Sequence, residues 1–444
     1  MLALYRTLAL PVYVPSMLMA IGQALVAVML PLYVIKLGGH PAQASLVIGA
    51  LSIGSLLSNV PAGVGVSRYG DKIVMSLAVV LSVLADTWLV FAASIAALAV
   101  AAFVLGTGTG MWMLSRLAYM SEAVPLAQRG RAISLMGGTQ RLGGFVGPAA
   151  GGLLAVQFGF AVAFAAALLC FVVSLLLVRK YTANHLVVQV HAERDDHSHS
   201  ASDSANDLAN DLIGARTIDS RQVPTPVRVD GSASTRPPLL AQRPGLASQW
   251  HVLRDYRGVF ATAGIAVIAI AVVRGAYGLL IPLWGTHIGL DPAAIGITFS
   301  ILSSIDMLLF YPVGIVMDRY GRKWAGVPCL VLLGVSLLLL PATISFWTLG
   351  LLAMLFGLGN GLGSGIVMTM GSDLAPRQRR GEFLGVWRSL ADLGFIAAPL
   401  MISALTVGVS LTAACIACGV VGLVGAFVMA FKVRESLHMQ EAAR

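Results

Sequence analysis

Residues 66–75 read VSRYGDKIVM and residues 317–326 read MDRYGRKWAG, so one short charged turn occurs twice in this chain. The arginines of the two copies, Arg68 and Arg319, are 251 positions apart. Each copy also holds a glycine, Gly70 or Gly321, which suits a tight bend between two rigid segments. A turn repeated at so large an offset predicts that a whole structural unit is duplicated around it.

The composition around these turns is that of a membrane protein. The 444 residues are 57% hydrophobic and only 11% charged, with a mean hydropathy of +0.85, whereas soluble domains carry about 25% charged residues. Twelve apolar runs are long enough to cross a bilayer. Each must be a helix, because lipid offers no partner to an unpaired backbone amide. We place the spans at residues 11–35, 44–66, 73–93, 96–120, 131–156, 159–179, 258–286, 293–316, 325–343, 346–371, 382–406 and 410–431.

Basic residues are distributed unequally between the two sets of loops. With the N-terminus inside the cell, only Lys36 falls in the outer loops. By the positive-inside rule, both termini and both RYG turns are therefore expected to be cytoplasmic. This topology also accounts for the net charge of +9 without nucleic-acid binding. The basic residues expected on the inner side are Arg68, Lys72, Arg129, Arg131, Arg179, Lys180, Arg319, Arg322, Lys323, Arg377, Arg379, Arg380, Lys432 and Arg434.

Residues 181–257 have a different composition from the spans. Ser, Asp, Pro and Arg dominate this stretch and no apolar period persists, which predicts a disordered cytoplasmic linker. The histidines at 191, 197 and 199 do not have the spacing of a closed metal site, so no metal is expected. The chain then divides into a bundle at 1–180, the linker at 181–257, a second bundle at 258–432 and a tail at 433–444.

The offset of 251 residues extends well beyond the RYG turns. Pro31 matches Pro282 near one end of the register, and Pro148 matches Pro399 near the other. The repeat unit holds six spans, an even number, so both halves enter and leave on the same membrane face. They are therefore predicted to be parallel repeats about an axis normal to the membrane.

The second RYG turn carries a family signature. Gly314, Asp318, Arg319, Gly321, Arg322 and Lys323 match the pattern G-x-x-x-D-R-x-G-R-K in full. The first copy departs from it, with Ser67 in place of the acid and Asp71 in place of the second arginine. On this motif and the span count, the chain resembles the major facilitator superfamily. The resemblance implies an all-α membrane fold of twelve transmembrane helices in two six-helix bundles.

The resemblance also implies a gate at the cytoplasmic side. It places Asp318 near the start of the fifth span, pairs Arg319 with Asp373, and pairs Arg68 with Glu122. Such contacts would hold the cytoplasmic side shut while the protein opens outward. The alternative is that these charges only fix topology at the membrane surface.

The fifth span bears on the direction of transport. It contains GGFVGPAAGG at residues 143–152, which resembles a motif of the exporter and antiporter branches of the superfamily. We expect its small residues to form a smooth face that slides against the eighth span, with ordinary helix packing as the alternative. The motif residues are Gly143, Gly147, Pro148, Gly151 and Gly152.

Charged residues inside spans are candidates for coupling, because they are costly at the membrane centre. The resemblance implies that spans five and eight meet across the halves, so Arg141 and Asp306 are predicted to face one another at this seam, where Asp306 would exchange a proton. A static ion pair is the alternative. Arg388 and Asp392 are four residues apart, so they share a helix face and satisfy one another.

A central cavity is implied between spans one, four, seven and ten. Its candidate lining residues are Gln23 and Arg274, which correspond in the repeat, together with Trp112 and Asn360. The first span has no acid, unlike that of many multidrug relatives, so an anionic or zwitterionic substrate is at least as well supported as a cation.

These observations predict a secondary transporter that exports a small organic molecule by alternating access, with protons as the candidate counter-ion. Uptake by symport or facilitated diffusion is one alternative, and a membrane sensor that signals through the linker is another. No nucleotide-binding, zinc or nucleophile motif is present, so we expect neither an enzyme nor a cofactor. We expect a monomer in the bacterial inner membrane, in contact with lipid and not with nucleic acid.

Overall fold

The computed structural model describes residues 8–124, 126–182, 246–376 and 379–433. Across these ranges the chain is helical. We number the long helices by span: α1 Val14–Lys36, α2 Pro41–Tyr69, α3 Asp71–Phe91, α4 Ile95–Ala123, α5 Leu126–Gln157, α6 Phe160–Tyr181, α7 Ile265–His287, α8 Pro292–Tyr320, α9 Lys323–Leu339, α10a Phe346–Leu362, α10b Ile366–Leu374, α11 Arg380–Gly408 and α12 Leu411–Phe431. The twelve-span fold predicted from the sequence is confirmed, with the tenth span divided in two.

Most of these helices satisfy the requirements for crossing a membrane. Within the described residues, eleven spans are both long and apolar enough, counting α10a and α10b as one. The remaining long helix, α5, is rich in glycine and carries Arg141. It is sheltered by its packing between α1 and α8.

Local signals account for where the helices begin and turn. Side chains of Ser94, Asp291, Ser345 and Ser410 accept backbone N–H groups at the starts of α4, α8, α10a and α12, as N-cap residues do. Gly70 and Gly321 join the helices of the two RYG turns at φ values of 86° and 104°. A side chain is strained at such angles, so glycine is required in both copies of the turn.

The two halves repeat the same packing scheme. In the first half α1 packs on α5, α2 on α4, and α3 on α6. In the second half α7 packs on α11, α8 on α10a, and α9 on α12. The halves then meet through α5 with α8, α2 with α11, and α1 with α7. Side chains that face this seam come from both copies of the unit.

The segment before α7 corrects one prediction. Within the stretch expected to be disordered, Leu246–Asp255 forms a short helix that packs on α11. Val252 is fully buried there, and Asp255 pairs with Arg379 at 3.0 Å. The short helix packs against α11, a partner surface that composition alone could not reveal. Residues 183–245, the rest of the predicted linker, lie outside the described residues, as does the tail from 434.

Candidate functional site

The tenth span breaks a little past its middle, between Leu362 and Ile366. Its stretch GNGLGSG, residues 359–365, has four glycines in seven residues, and Gly365 adopts a left-handed φ of 78°. The amide of Ser364 turns to the carbonyl of Gly361 at 3.0 Å instead of that of Asn360. The carbonyl of Asn360 therefore loses the partner that a continuous helix would supply.

Arg274 of α7 forms a hydrogen bond with this carbonyl. Its Nη2 donates to the Asn360 carbonyl oxygen at 3.1 Å. In the first half, the repeat-equivalent residues form a neutral pair, in which Gln23 Nε2 donates to Thr109 Oγ1 at 3.2 Å. Three of the four cavity candidates, Gln23, Arg274 and Asn360, thus take part in two equivalent contacts on facing sides of the seam. The positive charge of these contacts comes from the second half alone.

Arg141 joins the first half to the second. Its Nε lies 3.4 Å from a carboxylate oxygen of Asp306, as the sequence predicted, and both side chains are largely buried. The guanidinium also lies 4.1 Å from the centre of the Phe310 ring and donates to the hydroxyl of Ser364 in the break. One side chain of α5 therefore contacts both α8 and the break in α10.

Three polar atoms at this cluster make no hydrogen bond among the described residues, although one of them, Nε of Arg141, belongs to the ion pair with Asp306. The second carboxylate oxygen of Asp306, Nε of Arg141 and Nε of Arg274 are buried without a hydrogen bond. Burial of such groups without partners is costly. The cluster thus has hydrogen-bonding capacity left over for a solute or water. We call Arg141, Arg274, Asp306, Asn360 and Ser364 the seam cluster.

Trp112, the fourth cavity candidate, does not line open space. It is 1% exposed and lies beside Arg116, whose guanidinium is 5.9 Å from its ring centre. In the repeat Trp112 stands where the second half has Gly363. At this register position α4 runs unbroken, whereas the tenth span is divided.

The second pair of coupling candidates forms a separate contact. Arg388 and Asp392 pair along α11 at 3.2 Å, as expected from their spacing. Asp392 also accepts a hydrogen bond from Nδ2 of Asn59 on α2, at 3.0 Å. Asp392 is the repeat equivalent of Arg141, so each copy of this helix position links the two halves.

The gate pairs carried over from the family pattern are wrong in detail. Asp373 pairs with Arg322 at 2.8 Å, not with Arg319. Arg319 and Arg68 instead lie beside their neighbouring tyrosines, at 5.6 and 5.5 Å from the ring centres.

The turn itself explains the exchange of partners. Arg322 follows Gly321, so it comes from the far side of the bend, where its Nη1 also donates to the Met317 carbonyl at 2.7 Å. The pairing of Arg68 with Glu122 does not form. The side chain of Asp318, the remaining gate candidate, lies outside the described residues.

The glycine motif of α5 faces two helices. Side chains at Gly143, Gly147 and Gly151 would collide with α1, at Ala20, Ile21 and Leu25. The predicted sliding face against α8 is therefore wrong for these three positions, because residues four apart share one helix face. Gly152 is the exception, since a Cβ there would lie 2.9 Å from the Cα of Ala293 on α8.

The two ends of the α5–α8 contact differ in how closely the backbones approach. Away from the RYG turns, Gly152 contacts the start of α8, and a Cβ at Gly296 would lie 2.9 Å from the carbonyl carbon of Pro148. Towards the RYG turns, no described atom lies within 4 Å of a Cβ built on Gly138 or Gly314. We call these the sealed end and the turn end. Among these glycines, the close backbone contacts between α5 and α8 thus lie away from the RYG turns.

Solved structures with the same fold are transporters. One is a POT family transporter in complex with a thioalcohol conjugated peptide (TM-score 0.72, 14% identity, 96% of this chain and 95% of that chain covered). Another is a POT family transporter in complex with 5-aminolevulinic acid (0.69, 14%, 96% and 95%). A third is a D-xylose-proton symporter (0.68, 14%, 97% and 98%). At such identities the likeness concerns the fold.

The family model of the Major Facilitator Superfamily matches residues 13–250 and 263–444. The chain belongs to the major facilitator superfamily. It is a multi-pass membrane transporter, as this family and fold indicate. No curated protein matches the chain by sequence.

The sequence analysis missed part of the seam cluster. Ser364 and the break beside it are not predicted, because glycine in a membrane helix indicates close packing as readily as a break. The density of glycine in residues 359–365 was the available signal. The equivalent stretch of the first half, GTGMWML at residues 108–114, has only two glycines.

Proposed function

We propose that this protein is a proton-coupled secondary transporter of a small organic molecule, working by alternating access around the seam cluster. The observation that carries the proposal is the Arg141–Asp306 pair, which joins the two halves at mid-membrane. A rocking motion of the halves changes this contact. Water or a solute that enters from the turn end reaches the same two side chains.

The chemistry of the pair supports proton coupling. A buried carboxylate keeps its charge while a cation lies beside it, and takes up a proton when that cation leaves. Arg141 has alternative partners in Ser364 and the ring of Phe310. It is therefore able to release Asp306 without leaving the seam cluster, and proton uptake by Asp306 accompanies that release.

The substrate is proposed to bind at Arg274 and Asn360, with Gln23 opposite. Arg388 and Asp392 are proposed to stabilise the α2–α11 contact, and the Arg322–Asp373 pair to brace the turn end. The turn end is proposed to be cytoplasmic, on the basis of the basic residues around it. The cell membrane is the proposed location.

Two directions of transport have separate support. The glycine and proline motif of α5 supports export in exchange for protons, since it resembles the exporter branch. Uptake together with protons is the second candidate, and it is supported by the D-xylose-proton symporter among the similar structures.

The test uses purified protein reconstituted in liposomes with a pH-sensitive dye inside. Candidate solutes are added under an imposed pH gradient, and both solute and proton fluxes are followed. We expect solute flux that depends on the gradient in the wild-type protein and gradient-independent flux in Asp306→Asn. Equal gradient dependence in both proteins would refute the role of Asp306.

A further inference from the structure

The seam cluster has an excess of positive charge. Among the described residues, the titratable groups that act on Asp306 or on its partners are Arg141, Arg274, Tyr277 and Cys329. With the tyrosine and the thiol neutral, two guanidinium groups face one carboxylate. The helix α10 contributes only the neutral groups of Asn360 and Ser364 to this set.

Further positive potential comes from the break itself. The nine-residue helix α10b starts at Ile366, two residues after Ser364, whose hydroxyl Arg141 contacts. A helix start carries a partial positive charge and free amide groups. An independent observation adds to this, because Nε of Arg274 is buried without a partner in the same place. The geometry thus offers donors to an anion and holds one internal acid in the space between them.

Resting on the proposed transport function, we infer that the cargo is a small organic anion of the carboxylate class. It binds between Arg141 and Arg274 and takes the place that Asp306 holds as the partner of Arg141. Guanidinium groups suit this role because their planar donors match the two oxygens of a carboxylate. Asp306 is then an internal substitute for the substrate in the empty site.

Replacement of Asp306 by the substrate carboxylate determines whether protons move with the anion or against it. When a carboxylate anion binds and Asp306 leaves Arg141, Asp306 becomes a buried acid without a counter-ion and takes up one proton. The cluster then holds two guanidinium groups and one bound carboxylate, the same net charge as before binding. Proton and anion therefore bind together and move in the same direction. Symport is therefore favoured over antiport at this site.

The test measures binding to the purified full-length protein in nanodiscs by thermal unfolding. The probes are lactate, benzoate, succinate and 5-aminolevulinic acid, with choline and tetraethylammonium as cationic probes. Each is titrated at pH 5.5 and pH 7.5. We expect at least one carboxylate probe to stabilise the protein, with an apparent Kd at least tenfold lower at pH 5.5. The cationic probes should have no effect.

Three variants separate the roles of the residues. Arg274→Gln should weaken carboxylate binding at least tenfold, and it should fold because glutamine stands at the equivalent position, Gln23. Asp306→Asn should still bind the carboxylate but lose the pH dependence. Arg179→Gln, the same substitution at an exposed arginine at the end of α6, should behave as wild type.

Several results would overturn the inference. These are stabilisation by the cationic probes alone, by no carboxylate probe, or by carboxylates that bind more tightly as pH rises. An unchanged Kd in Arg274→Gln would also do so. Liposomes distinguish this failure from that of the transport function: a cation-driven proton flux would refute the anion class and leave proton-coupled transport standing. Absence of any solute flux would refute the transport proposal itself.

Discussion

Substitution of Gly152 tests whether the contact between α5 and α8 sets the conformational balance. A Cβ at this position would lie 2.9 Å from the Cα of Ala293, whereas non-bonded carbon atoms prefer about 3.5–4.0 Å. The Gly152→Ala variant must therefore part the two helices by roughly 0.6–1 Å at the sealed end. Because the obstacle is backbone on a facing helix, no side-chain rotation relieves the clash.

The size of the effect follows from the cost of overpacking, about 1–3 kcal/mol. This cost applies while the end is sealed and disappears once α5 and α8 separate. The equilibrium should then move towards the state open at the sealed end by about 5- to 150-fold. Gly138→Ala is the matched control, since it adds the same methyl group to the same helix where the structure has free space.

The assay is a distance measurement between spin labels by double electron–electron resonance. Labels at Phe158 and Ile344, both exposed at the sealed end, report its opening. Labels at Tyr69 and Tyr320 report the turn end. The four native cysteines are first replaced.

We expect Gly152→Ala to lengthen the Phe158–Ile344 distance and shorten the Tyr69–Tyr320 distance. Unchanged distances in Gly152→Ala, or equal changes in Gly138→Ala, would refute the view that the sealed end is held by backbone contact.

Three further predictions concern the second half of the chain. Gly363→Ala should weaken solute binding at least tenfold in a direct binding assay, because its Cβ would lie 2.7 Å from Nη2 of Arg274; unaltered binding would contradict the close contact. Arg322→Gln should lower the free energy of unfolding by about 1.5–3 kcal/mol, since it removes a charged hydrogen bond to the buried acid Asp373, whereas Arg319→Gln should change it by less than about 0.5 kcal/mol; chemical denaturation decides, and equal effects would favour the family-derived pairing. Trp387→Phe should raise hydrogen exchange in α10b, because the indole N–H donates to the Val367 carbonyl at 2.8 Å; unchanged exchange there would show that this bond does not hold the helix.

The short helix Leu246–Asp255 packs on α11, which is distant from it in the sequence. Its C-terminal neighbour Tyr256 lies 5.8 Å from Phe383 of α11, and Phe383 is 5.9 Å from Trp387. Trp387 in turn bonds the backbone of α10b. The segment before α7 is thus joined through aromatic rings to α10b, the second part of the tenth span. The polar sequence around this short helix does not indicate it, because the surface of α11 on which it packs comes from residues more than a hundred positions away.

The amino-acid sequence by itself determined the number of spans, their grouping into two parallel halves, and the pairing of Arg141 with Asp306. The first two properties follow from apolar length and from a repeat register, both of which are written along the chain, and the pairing follows from the architecture that the family resemblance implies. The break in α10, the use of Arg322 in place of Arg319, and the packing of the glycine motif on α1 were decided only by the tertiary structure. Each depends on which way a side chain or a freed carbonyl points once helices from separate parts of the chain are side by side, and a linear pattern does not record that direction.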